Sequence, residues 1–83
     1  MNALVHVRSV EVLDGYRLRL AFSDGKQGTI DFTDELWGPV FEPLKQRELF
    51  AEVKVDPECG TIVWPNGADF APEWLHEAAT GTA

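Results

Sequence analysis

The chain has 83 residues, with 7 Lys and Arg against 14 Asp and Glu, a formal net charge of −7; at roughly 100 to 200 residues per domain this is one small domain. Nucleic-acid affinity comes from basic groups that release counterions, so so acidic a chain is expected to make no direct contact with DNA or RNA. The single cysteine, Cys59, rules out an intramolecular disulfide framework, and no basic leader or apolar run of about 18 residues is present, so the expected state is cytoplasmic, without a membrane segment.

From Leu4 to Leu13 the chain is rich in Val, which suits a pleated, half-buried surface. Val5 and Val7 share one parity and Val10 and Val12 the other, and a change of face inside a strand is what a β-bulge produces, here near Arg8-Ser9. The next segment alternates cleanly: Tyr16, Leu18, Leu20 and Phe22 point one way, Arg17, Arg19 and Ala21 the other. Thr29 and Asp31 then alternate with Ile30 and Phe32.

Parity decides the length of the connections. A two-residue Asp24-Gly25 loop would set Leu18 against Asp31 and split the apolar set between faces. A three-residue Ser23-Asp24-Gly25 loop, with glycine left-handed, pairs Leu18 with Ile30 and Tyr16 with Phe32. The same choice at Leu13-Asp14-Gly15 pairs Val12 with Tyr16 and Val10 with Leu18. Three strands then form a meander with one apolar face, while the opposite face sets Glu11 across from Arg17 and Arg17 across from Asp31, a solvated ladder of charges.

After Phe32, the stretch Thr33 to Val40 mixes breakers with Leu36 and Trp37, a loop or single helical turn packed on the core. Pro43 opens a short helix running to Glu52, with Leu44, Leu49, Phe50 and Val53 as its apolar stripe. Val53 to Asp56 and Thr61 to Trp64 form a second hairpin around Pro57-Glu58-Cys59-Gly60, with Val55 opposite Ile62 and Val53 opposite Trp64, both pairs inward. Pro65 ends that strand, Asn66-Gly67 turns the chain, and Pro72 opens a last short helix through Trp74, Leu75 and His76. The expected architecture is a small α+β domain over residues 1–79, with 80–83 a flexible tail.

This layout resembles the bacterial domain-of-unknown-function family numbered 2442. The resemblance is carried by Val10-Glu11-Val12, by Tyr16-Arg17-Leu18 through Phe22-Ser23-Asp24-Gly25, by Asp31, Phe41-Glu42-Pro43-Leu44 and Phe50, and above all by the run from Thr61-Ile62-Val63-Trp64-Pro65-Asn66-Gly67 to Ala68-Asp69-Phe70-Ala71-Pro72-Glu73. It implies a small α+β domain, found alone or fused to a helix-turn-helix DNA-binding module. Stand-alone members look like partners encoded beside another short protein, in a toxin-antitoxin-like arrangement. The chain ends soon after Pro72-Glu73, so no DNA-binding appendage is expected and any regulatory role would act through a partner.

Two kinds of chemistry compete. A helix beginning at Asp69 would put Asp69, Glu73 and His76 on one face, as a divalent-metal or acid–base site. Pro72 argues instead for a start near Ala71, leaving Asp69 in the turn, where such a residue satisfies backbone amides. Cys59 sits in an acidic turn without the electropositive surroundings that generate a thiolate. His6 reads as a surface residue, and no phosphate loop, dinucleotide fingerprint, Cys-x-x-Cys pair or nucleophile elbow occurs, so neither a cofactor nor an enzymatic role is expected.

Trp64 belongs to the core by parity, whereas Trp37 and Trp74 either cap the open end of the sheet or anchor a partner. The leading expectation is a non-catalytic protein-interaction module that engages a protein partner or self-associates, with Trp37, Trp74, Asp69 and Glu73 as partner-binding residues. The alternative is a small enzyme or metal-binding protein using Asp69, Glu73 and His76.

Overall fold

The computed structural model describes residues 5–80. Strands β1 (Val7–Val12), β2 (Arg17–Phe22) and β3 (Gln27–Asp31) form an antiparallel meander in the order β1-β2-β3. Two short helical segments follow, a 3-10 turn at Thr33–Glu35 and another at Glu42–Lys45, then the one-turn helix α1 (Arg47–Phe50). Strands β4 (Lys54–Asp56) and β5 (Thr61–Val63) make a separate two-stranded sheet, and helix α2 (Pro72–Thr80) closes the chain. The β4-β5 hairpin packs beside β1, where the Val7 amide donates to the Gly60 carbonyl at 2.9 Å, and α2 lies against β3 and β2. The five strands among the described residues are therefore divided between two sheets.

The alternation in β2 decides where the core lies. Leu18, Leu20 and Phe22 are buried while Arg17 and Arg19 stay exposed, and each such apolar side chain contributes about 1.5–3 kcal/mol on burial. Ile30 and Phe32 join them from the third strand and its end. Val7, Leu36, Leu44, Phe50, Val53, Ile62, Trp64, Ala68 and Leu75 complete one continuous cluster that runs from β1 to α2.

The β2-β3 hairpin has the expected register, with Leu18 opposite Ile30 and Arg17 opposite Asp31, and its Ser23-Asp24-Gly25 loop closes with Gly25 at φ 88°. The bulge in β1 also falls as expected, since pairing shifts between Val7 and Ser9. The first hairpin differs. Val12 pairs with Leu18, Val10 with Leu20 and Glu11 with Arg19, not Val12 with Tyr16, Val10 with Leu18 and Glu11 with Arg17. The loop still has three residues, but they are Asp14-Gly15-Tyr16, closed by the Leu13 amide on the Arg17 carbonyl at 2.9 Å. Moving a three-residue loop by one position changes register by two and preserves parity, so the apolar face is the same in both arrangements. The charge ladder is redistributed accordingly: Glu11 lies 3.8 Å from Arg19, and Arg17 bonds Asp14 in its own loop.

The helix expected after Pro43 is split in two. Gln46 has extended backbone, φ −76° and ψ 118°, between the 3-10 turn and α1. The Tyr16 hydroxyl donates to the Lys45 carbonyl at that break, so a group in the first hairpin loop supplies a partner for the interrupted backbone. The expected stripe survives the interruption: Leu44, Phe50 and Val53 are buried and Leu49 packs on them. In the second hairpin Val55 lies opposite Ile62. Helix α2 runs on to Thr80, beyond the turn predicted around His76, and residues 81–83 of the expected tail lie outside the described residues, as does Leu4.

Candidate functional site

The feature that stands out on the surface is an open groove of about 580 Å³, walled by the loop from Glu35 to Phe41 and by the segment from Asp69 to Trp74. Its walls come from two segments far apart in the sequence. On one side Leu36 is buried and anchors the loop, and Gly38, at φ 89°, turns the chain immediately after Trp37. The Glu42 amide closes the turn on the Gly38 carbonyl at 2.9 Å. With Leu36 committed to the core and the chain reversing at Gly38, Trp37 projects outward, 71% exposed, beside Val40, 46% exposed.

The opposite wall is built by the motif between Thr61 and Glu73. The Asn66-Gly67 turn closes with the Gly67 amide on the Trp64 carbonyl and the Trp64 amide on the Ala68 carbonyl, each at 2.9 Å. Ala68 is buried, and a bridge between Val63 and Asp69 continues the pairing. The Thr61 hydroxyl donates to the Phe70 carbonyl at 2.5 Å, fixing the chain just before α2. Asn66 spans the two walls: its side-chain amide donates to the Val40 carbonyl at 2.9 Å while its oxygen accepts from the Ala68 amide at 3.1 Å. The most distinctive stretch of the sequence is thus a scaffold that holds both sides of the groove in register.

The floor is aromatic. Phe70 stacks on Trp74 with centroids 5.2 Å apart and planes 19° apart, and Phe41 lies 4.8 Å from Phe70. Phe32 lies behind them, 5.1 Å from Phe70. Beneath these, Trp64 is buried and donates its indole N–H to the Phe50 carbonyl at 2.9 Å. Among the described residues, Glu35 and Asp69 are the two ionisable ones lining the groove, and both are acids.

Three of the four residues singled out from sequence for partner binding, Trp37, Trp74 and Asp69, therefore line one groove. Glu73 is exposed in the first turn of α2 and does not line it. Glu35, Val40, Phe41 and Phe70 were not foreseen as lining residues; the signal for the first three is their closeness to Trp37 and Gly38-Pro39, and for Phe70 its place beside Asp69.

The Asp69, Glu73 and His76 arrangement is not assembled. His76 turns to the β2-β3 loop, its Nε2 at 2.8 Å from Asp24 Oδ2 and its ring edge-on to Phe22 at 4.9 Å. Helix α2 starts at Pro72, so Asp69 stays in the preceding segment, as the proline predicts. Among the described residues no group of three or more His, Cys, Asp and Glu side chains is placed to hold a metal ion. Cys59 is exposed, and the neighbouring Asp56 carboxylate raises its thiol pKa, which disfavours the thiolate. No helix among the described residues is long and apolar enough to cross a membrane.

Comparison with known proteins places this architecture. The model of a family described as protein of unknown function, DUF2442, matches residues 7–81. A solved structure from Nitrosomonas europaea ATCC 19718, named "putative DNA binding protein NE0471", is similar over 95% of this chain with a TM-score of 0.80 and 29% sequence identity. The chain spans 52% of that protein, about half its length. The comparison with curated proteins finds no match.

Proposed function

The chain belongs to the DUF2442 family of proteins of unknown function, and from that premise we propose that it is a non-catalytic protein-interaction module whose binding face is the groove between Trp37 and Trp74. The observation that carries this reading is the exposure of Trp37, 71%, at the mouth of an aromatic groove whose walls are held by Asn66 and Thr61. Trp is over-represented among residues that dominate binding energy, and a groove lined mainly by apolar side chains with a few polar groups is the usual form of a recognition site. An antitoxin-like role beside a neighbouring small protein is a special case of this reading and rests on the resemblance alone.

The name of the Nitrosomonas protein raises a nucleic-acid reading. That name attaches to a chain of which this one spans 52%. Here the net charge of −7 and the two acids in the groove oppose phosphate contact, so protein is the favoured partner.

The test is co-purification with the product of the adjacent gene, comparing the native chain with a Trp37→Ala, Trp74→Ala double variant. Loss of the partner with the variant supports the groove as the binding face. Retention of the partner by the folded double variant would remove it.

A further inference from the structure

The charge pattern of the groove narrows what fits it. Its exposed indole, Trp37, and the Phe70–Trp74 stack present aromatic faces, which carry negative electrostatic potential. Among the described residues, Glu35 and Asp69 are the ionisable groups in the lining, and no Lys, Arg or His lines the groove. The charged side chains and aromatic faces of the lining therefore favour a cation over an anion, and Glu73 in the first turn of α2 offsets the positive end of that helix beside Ala71, while the aromatic floor rewards apolar contact.

Resting on the reading above, we propose that the occupant is a short segment of a partner protein that presents one Arg or Lys between apolar side chains, its cation held against Trp37 or Trp74 and matched by Glu35 and Asp69. The volume of about 580 Å³ suits a few side chains, not the face of a folded domain. A second copy of this chain is disfavoured as the occupant, because its own net charge of −7 would be brought against two acids. A neutral apolar segment would fill the aromatic floor and leave both carboxylates facing an uncharged ligand, so selectivity for the cation is the signature that distinguishes this proposal.

The probes are three capped seven-residue peptides of Leu, Ser and Gly that differ at one central position, carrying Arg, its neutral isostere citrulline, or Glu. They are titrated into the full chain while the indole N–H signals of its three tryptophans are followed by NMR. The Arg peptide should move the Trp37 and Trp74 signals and leave that of buried Trp64 in place. The citrulline peptide should bind about tenfold more weakly, as expected from losing a cation–π contact and an ion pair. The Glu peptide should not bind. A Glu35→Gln, Asp69→Asn variant should bind the Arg peptide no better than the native chain binds the citrulline one, with an unmoved Trp64 signal reporting an intact fold.

Equal affinity for the Arg and citrulline peptides would overturn the cation preference and leave the interaction reading standing. No response to any peptide would overturn the short-segment proposal, whereas the interaction reading fails only if partner capture is independent of Trp37 and Trp74. Trp37 signals that shift with protein concentration alone would show a second copy in the groove and overturn the proposal in that way.

Discussion

His76 Nε2 lies 2.8 Å from Asp24 Oδ2, joining the middle of α2 to the loop between β2 and β3. The same carboxylate accepts the Lys26 amide at 3.0 Å, so one side chain caps its own turn and holds a distant helix. The Lys26 amide is the main reason the Asp24 pKa lies below the ordinary carboxylate value, with the His76 contact adding to it. Asp31 is lowered in the same direction by the Thr33 hydroxyl and amide, and Asp14 by the Arg17 guanidinium.

The pH dependence follows from those directions. A carboxyl group whose folded pKa is depressed contributes stability that is present above the unfolded value, about 3.9 for Asp, and is lost as pH falls through the folded value. Urea midpoints should therefore be flat with respect to these three groups above about pH 5 and should fall below about pH 4. Asp24→Asn and Asp31→Asn variants should each show a shallower fall in acid than the native chain. An unchanged acid slope in both would show that these contacts do not persist in solution.

The docking of α2 depends on a glycine. A methyl group at Gly28 in β3 would collide with the carbonyl oxygen of Ala79, backbone against strand, where neither side is a flexible chain end. Gly28→Ala should destabilise the domain by about 1–3 kcal/mol, the usual cost of overpacking. Because Leu75 and Trp74 lie on the same helix, the variant should also disturb the Trp74 indole signal more than that of Trp64. A thermal midpoint equal to the native one would show that α2 sits farther from β3.

Asn66 offers a way to loosen the groove without touching its lining. Its amide on the Val40 carbonyl ties the loop to the turn after β5. Asn66→Ala removes that bond and the one to the Ala68 amide, at a cost of about 0.5–1.5 kcal/mol for each hydrogen bond lost. The larger expected effect is faster hydrogen exchange through residues 37–41, read by mass spectrometry. Unchanged exchange there would mean that Leu36 and the Gly38 turn hold the loop alone.

The parity argument recovered the meander because an odd loop length keeps its apolar set, Leu18, Leu20, Phe22 and Ile30, on one face, where all four are buried. The first hairpin register escaped the same argument because a loop of Asp14-Gly15-Tyr16 preserves the parity of one of Leu13-Asp14-Gly15. Two contacts accompany the observed register, one local and one not: Asp14 bonds Arg17 across the loop, and the Tyr16 hydroxyl reaches the Lys45 carbonyl, between segments distant in sequence. The break at Gln46 was hidden for a related reason, since glutamine is a good helix former and its extended backbone is a tertiary outcome. At the site, Trp37, Trp74 and Asp69 could each be singled out by type and setting. Their convergence could not, because it depends on Asn66 and Thr61 holding carbonyls of two separate segments. The triad reading failed at His76 because helical spacing says which residues share a face and not what that face meets, here Asp24 and Phe22.

The two groove tryptophans should separate in stability though they share a site. Trp74 stacks on Phe70 and is 38% exposed, so part of its ring belongs to the packing that closes the core. Trp74→Ala should cost about 1–3 kcal/mol, below the range for a fully buried aromatic. Trp37 is 71% exposed on a loop whose position is fixed by its neighbours, Leu36 inside and Gly38 at the turn. Trp37→Ala should therefore change the urea midpoint by no more than about 0.5 kcal/mol equivalent, as for an ordinary surface substitution. A large loss of stability at Trp37 would assign it to capping the sheet. Near-neutral stability would mean that the fold does not need the indole and that the side chain is free to serve the proposed binding face.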